Sequence, residues 1–276
     1  MVEQWNYDTL PMDWIGDWAG RRAALTPHRP AVLDADSGTR LTFADANARA
    51  NRVAGWLHDE AGLGTGDPVC VLSRNRLEVL DLYLASGKIG TVLAPLSFRL
   101  RPRELNDLLA RIEPRAFVYE DAFDEIVAEL ELPSSVTTRL RISDTEDGAF
   151  GAVLNHPERE MNRPLAQADP FLYIHTGGTT GTPKVCIIPH RQMLWNALDM
   201  IVTSGNLMEQ RQLITFPMFH IGGWNSLTPV FHAGGYCVIT RQFDPGQVLD
   251  VIEQERIMSF GGVEAMLRFI ANHPRF

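Results

Sequence analysis

Three continuous apolar runs, PVCVLS (68–73), TVLAPL (91–96) and AFVYE (116–120), constrain this chain more than any other feature. A short run that is apolar throughout and bounded by turn signals suits a strand buried on both faces. Segments of helical length separate the runs. One spans Arg76–Ile89; the other, PRELNDLLARI, opens at Pro102 and stops before Pro114. Strand–helix–strand–helix–strand with short turns predicts a parallel sheet covered by helices.

The flanks continue the alternation. Trp14–Leu25 reads as a helix and Pro30–Ala35 as a strand. Thr42 with Asp45 three residues on forms a capping box, and Phe43, Ala46, Ala50, Val53 and Leu57 recur at helical spacing behind it. GLGTGD (Gly62–Asp67) precedes a strand and is not Gly-x-Gly-x-x-Gly, so it reads as a helix-to-strand turn. Residues 132–169 are polar and carry Pro133, Pro157 and Pro164, with Pro170 just beyond, predicting a loose connection with one or two short elements. Further on come a helix over Arg191–Ser204, a strand over Leu213–Pro217 and a strand at YCVI (236–239). Asp244-Pro245 then starts a helix running to about Arg256, followed by a strand in IMSFGGV and a helix in EAMLRFI. The fold class expected is α/β, with parallel-rich sheets flanked by helices.

Composition excludes several functions. The 276 residues carry 25 Lys and Arg against 34 Asp and Glu, a formal charge of −9. That balance argues against a nucleic-acid partner and against an anionic membrane surface. No apolar stretch approaches a transmembrane length of ~20 residues, and the N-terminus lacks a signal-peptide layout. The expected compartment is the cytoplasm. Cys70, Cys186 and Cys237 each lie in an apolar run, so all three are expected to be buried, reduced thiols in strands. No Cys/His cluster has zinc spacing, so no metal ligand is assigned.

The segment HTGGTTGTPK, His175–Lys184, sits between the apolar runs FLYI and VCII. Its glycines free backbone N–H groups to face a ligand, its threonines add hydroxyl donors, and Lys184 adds a point charge suited to phosphate. It is not the standard P-loop, because Pro183 stands where the second glycine belongs. At ten residues it is long for a hairpin turn, where ~2–5 is usual. These features leave a polyphosphate cradle and a glycine-rich turn both open.

The stretch Tyr173–Lys184 closely resembles the AMP-binding signature of the adenylate-forming superfamily, which includes acyl-CoA synthetases and fatty-acid–CoA ligases. LTFADANARANRVAGWL, the segment from Gly66 to Asp121, PHRQM, FPMFHIGGWN and GGYCVITRQFDP are similar to family segments in the same order, so the resemblance runs from about Trp14 to the end. It implies an ATP-dependent acid–thiol ligase. A fatty or aromatic carboxylic acid would be activated as an acyl-adenylate and passed to CoA, with ATP, Mg²⁺ and CoA as cofactors. Thr176, Gly177, Gly178, Thr179, Thr180, Gly181 and Lys184 would hold the β- and γ-phosphates. Lys184 and His220 would be the catalytic residues, and His220, Gly222, Gly223 and Trp224 would border the acid. His190 is expected to make a structural hydrogen bond and His175 to pack beneath the cradle. Arg99 and Arg101 read as a solvated basic face.

Two departures from the family pattern stand out. Val185 replaces a usual glycine, and Glu264-Ala265 replace a usual proline-threonine near the acid pocket. No adenine-binding segment, aromatic-Gly-x-Thr-Glu motif, ribose-binding aspartate or C-terminal catalytic lysine has a counterpart before Phe276. The chain therefore reads as an incomplete N-terminal adenylation domain, with approximate lobes 1–65 plus 216–276, and 66–215, and without the small C-terminal domain. The alternatives are an adenylation domain that loads a carrier protein and a non-catalytic nucleotide- or partner-binding module. A homo-oligomer is compatible with the sequence.

Overall fold

The computed structural model describes residues 7–145, 149–176, 183–205 and 207–276. In chain order the first elements are β1 (Pro11–Met12), α1 (Trp18–Leu25), β2 (Pro30–Asp34), β3 (Arg40–Thr42), α2 (Phe43–Asp59) and β4 (Pro68–Leu72). Next come α3 (Leu77–Ile89), β5 (Val92–Leu96), α4 (Pro102–Ile112), β6 (Ala116–Glu120), α5 (Asp124–Ala128), β7 (Thr138–Ile142), α6 (Phe150–Leu154) and β8 (Leu165–Ala166). The last are β9 (Pro170–Thr176), β10 (Lys184–Pro189), α7 (His190–Ser204), β11 (Arg211–Ile214), α8 (Ile221–Ala233), β12 (Tyr236–Ile239), α9 (Pro245–Glu255), β13 (Ser259–Phe260) and α10 (Glu264–Ala271).

Two main sheets organise the molecule. The first has the order β10-β9-β5-β4-β6-β7 and is parallel except at β9–β10. The second has the order β13-β11-β12-β2-β3 and is parallel except at β2–β3. β4, β5 and β6 are the three apolar runs. Nearly every residue in them is buried, as strands covered on both faces require. The largest core cluster joins α2 and α3 to residues of both sheets and to α8.

Local chemistry explains the helix ends. Thr42 Oγ1 accepts from the Asp45 amide while Asp45 accepts from the Thr42 amide, so α2 starts with the expected capping box. Asp244 caps α9 with Pro245 in its first turn. α1 starts later than expected because Asp17 caps it, accepting from the Gly20 amide. Gly62 and Gly66 have positive φ, which makes GLGTGD a backbone turn ahead of β4.

Other expectations need correction. The stretch 132–169 contributes β7, a full edge strand of the first sheet. β11 ends at Ile214, so 215–217 are not strand. Cys70 and Cys237 are buried as expected, but Cys186 is exposed. It lies on β10, the outermost strand of its sheet, where every residue is exposed or half-buried. Among the described residues no helix is long and apolar enough to cross a membrane.

Candidate active site

Parallel strands deliver their C-terminal ends to one side of a sheet, and ligands of open α/β folds bind there. Here both sheets do so toward a common cavity of ≈ 350 Å³. Asn75 follows β4, Phe98 and Arg99 follow β5, Phe216, Pro217, Phe219 and His220 follow β11, and Arg241–Phe243 follow β12. Val263 and Met266, beside the start of α10, close the far wall. Four phenylalanines, Phe98, Phe216, Phe219 and Phe243, share the lining with polar groups that include Asn75, Arg99, His220 and Arg241.

His220 lines this cavity at the start of α8. Its Nδ1 accepts a hydrogen bond from the Gly222 amide at 3.0 Å. The neutral imidazole therefore carries its proton on Nε2 and can donate from there. Gly223 sits where the bend from Pro217 to His220 meets the helix. A Cβ on it would lie 2.8 Å from the Pro217 carbonyl oxygen and 3.1 Å from the Met218 Cα. Backbone cannot yield as a flexible side chain can. Gly223→Ala is expected to cost about 1–3 kcal/mol, as other overpacked sites do. A thermal melt unchanged from wild type would contradict this.

Trp224 does not border the cavity. It is fully buried and stacks on Tyr83, with ring centroids 4.4 Å apart. Its position one helical residue past Gly223 turns it inward to the main core cluster. Gly222 and Gly223 likewise shape the His220 cap and are not among the cavity-lining residues.

His175, on β9, links the cavity to the glycine-rich segment. Its Nε2 accepts from the Ser97 amide at 3.0 Å, and its ring centroid lies 6.3 Å from that of Phe219. Burial and the neighbouring His220 hold its pKa below the ordinary histidine value. One residue on, Thr176 pairs with Lys184 across the β9–β10 ladder. The two exposed side chains thus stand at the base of the same hairpin, and Lys184 makes no ion pair with another described residue. Gly177, Gly178, Thr179, Thr180 and Gly181 lie outside the described residues. Val185 pairs with His175 in the ladder and, like Tyr173, packs half-buried against the core cluster that includes Leu72 and Leu105. Glu264 opens α10 and pairs with Arg268 at 2.6 Å in solvent, outside the cavity lining.

Two sequence readings change here, those of Arg99 and His190. Arg99 is not merely a solvated basic residue: its guanidinium lies 5.6 Å from the Phe219 ring centroid, on the cavity wall. Arg101 does point to solvent, with its side chain 88% exposed. His190 is held by stacking on Phe171 at 4.3 Å, and its Nε2 has no hydrogen-bond partner. Asn75 escaped notice altogether. The usable signal for Asn75 and Arg99 was their place just beyond the C-terminal end of a buried strand.

Among the described residues no group of three His, Cys, Asp or Glu side chains could hold a metal ion. A cavity that combines four phenylalanines with an imidazole donor in its wall can take a ligand with a hydrophobic body and a polar end.

The family profile described as AMP-binding enzyme matches residues 20–276. The chain belongs to this AMP-binding family. It is 33% identical over 263 residues to a feruloyl-CoA synthase of Amycolatopsis sp, covering 95% of this chain and 51% of that protein. It is 28% identical over 266 residues to the long-chain-fatty-acid–CoA ligase FadD13 of Mycobacterium tuberculosis, covering 95% of this chain and 52% of the relative. The solved N-terminal domain of FACL13 from Mycobacterium tuberculosis superposes with a TM-score of 0.87 at 26% identity. That match covers 96% of this chain and 66% of the solved one. The AMP-binding chain thus has the α/β architecture of an adenylate-forming N-terminal domain, and spans about half the length of the curated relatives it matches.

Proposed function

We propose that this AMP-binding chain provides the phosphate cradle and acid pocket of an ATP-dependent acid–thiol ligase. The observation that carries this reading is the phenylalanine-lined cavity opening beside His220 and His175, one residue from the hairpin base where Thr176 faces Lys184. The acid is fatty or aromatic, because the lining offers rings and Met266 to an apolar body. The acid's carboxylate oxygen bonds to the α-phosphorus of ATP as the bond to the pyrophosphate oxygen breaks. The thiol of CoA then attacks the acyl carbon, and AMP departs.

The roles of this chain's residues follow from charge. Lys184, exposed and unpaired among the described residues, neutralises phosphate oxygens. Thr176, with Gly177, Gly178, Thr179, Thr180 and Gly181, supplies hydroxyl and backbone donors. His220 donates from Nε2 to a carboxylate oxygen. The chain spans half of its relatives, so the activity is proposed for the protein that carries it. The 276 residues alone are expected to release no acid-dependent pyrophosphate.

Acid-dependent ATP–pyrophosphate exchange tests the assignment in an enzyme that contains this segment at the relatives' full length. Lys184→Ala and Thr179→Ala are each expected to slow exchange by roughly 10²–10³-fold, the effect of removing one positioned donor from a transition state that develops negative charge. Exchange at the wild-type rate in both variants would remove the cradle assignment. Steady pyrophosphate release by the 276-residue chain would remove the expectation that it is inactive alone.

A further inference from the structure

Asn75 sits in the loop after β4, at the seam between the two main sheets, and is buried. Its Nδ2 donates to the Phe216 carbonyl at 3.0 Å, and its Oδ1 accepts from the Met218 amide at 2.7 Å. Those two backbone groups flank Pro217. They are the pair that a residue on a parallel neighbouring strand would engage. β11 has already ended at Ile214, and the five-stranded sheet gives this bend no strand partner. One carboxamide, donor and acceptor on a single rigid plane, does the work of that neighbour.

The bend so held carries the cavity wall. The His220 amide donates to the Pro217 carbonyl, and the Gly223 amide donates to the His220 carbonyl. Any shift of Met218 therefore moves Phe219 and His220 with it. Asn75 is itself anchored. Its amide donates to the Arg241 carbonyl, and the preceding Arg74 amide donates to the buried Glu120 carboxylate. No other side chain that can both donate and accept through one planar group occurs in the loop Ser73–Arg76.

We propose that Asn75 is a positioning residue for His220: by bracing the Phe216–Met218 bend from the opposite sheet, it sets where the imidazole stands in the acid cavity. The consequence for acid binding rests on the functional reading above; the bracing itself does not.

The experiment uses the 276-residue chain, with Asn75→Ala and Asn75→Asp as variants. Amide hydrogen exchange is read residue by residue, and cinnamate, a phenyl-bearing acid, is titrated by calorimetry. In Asn75→Ala the Met218 and His220 amides are expected to exchange at least about tenfold faster, with β4 and β6 unchanged, as local opening requires. Asn75→Asp keeps the acceptor for Met218 and loses the donor to Phe216, so it should fall between wild type and Asn75→Ala. It also supplies the comparison if the alanine variant does not fold. Cinnamate affinity is expected to drop at least about tenfold in Asn75→Ala, through the displaced wall.

Unchanged exchange over 216–220 overturns the proposal. Acceleration spread evenly over both sheets also overturns it, since Asn75 would then contribute only general stability. Local acceleration with wild-type cinnamate affinity overturns the positioning role. Local acceleration in a protein whose wild type takes up no cinnamate supports the brace and overturns the acid-site reading.

Discussion

Lowering the pH from about 7.5 to about 5 is expected to remove on the order of 4 kcal/mol of folding stability through two histidines. His190 is buried against Phe171, and its pKa is pushed down to about 4 by that burial. His232 is fully buried against Trp18, at 3.9 Å between ring centroids, and burial followed by the charge of Arg22 pushes its pKa down to about 3. Both values lie below the ordinary 6.5, so the unfolded chain binds more protons throughout the interval. The stability held by the neutral rings is complete above about pH 6.5. It declines as pH falls, until each ring reaches its own folded value. At pH 5 each histidine is about 1.5 units past its unfolded pKa, or roughly 2 kcal/mol. Urea midpoints across this range measure the loss. His190→Phe with His232→Phe keeps both stacks and removes both titrations, so the double variant should show a much flatter profile. An equal slope in wild type and double variant would assign the acid sensitivity to other groups.

Glu120→Ala is expected to cost about 3–5 kcal/mol, the usual penalty for stranding a buried partner charge. Glu120 ends β6 with no exposed surface. It accepts from the Arg74 side chain and amide, from Ser73 and from Arg76. Removing it leaves the Arg76 guanidinium, only 3% exposed, with Glu78 and Asp144 alone. Those remaining partners place the loss near 3 kcal/mol. Burial by itself would raise the Glu120 pKa, but the hydrogen bonds from Arg74 and the charge of Arg76 win and hold it below 4.5. Its contribution is therefore in force above about pH 4.5 and is lost as pH falls through the lower, folded value. Glu120→Gln keeps the shape and several hydrogen bonds, and should cost less than the alanine change in the same denaturation assay. Equal stability of wild type and Glu120→Ala would show that the arginines find full hydration without it.

The two losses touch the cavity differently. Glu120 anchors the loop that carries Asn75, so its removal should also loosen the His220 wall. His190 and His232 lie in packed layers outside the cavity lining, and their protonation acts on stability.

Particular elements mark what could be read without coordinates. The capping box at Thr42 and Asp45, the Asp244-Pro245 start of α9 and the three apolar strands depend on neighbours within a few residues, and all were legible. β7 was not. Its TRLRI alternates charge and apolarity, which an edge strand tolerates and a central strand does not. α8 was missed because Gly222, Gly223 and Pro229 all argue against a helix. Its buried face, with Trp224, Leu227, Val230 and Phe231 in the core, outweighs those local preferences. Cys186 read as buried because an apolar run does not say that its strand is outermost.

The candidate site divides along the same line. Sequence alone determined the class of fold and the glycine- and threonine-rich segment ending in Lys184, and its resemblance to a known family pointed to His220, since these reside in contiguous residues. Tertiary structure alone decided that Trp224 faces the core, that Arg99 lies over Phe219, and that Asn75 braces the bend before His220. Asn75 and Phe216 are 141 positions apart. Nothing local to either residue encodes their meeting. It arises because two separately ordered parallel sheets bring their strand ends to one side, and one planar carboxamide then satisfies two backbone groups that no strand reaches.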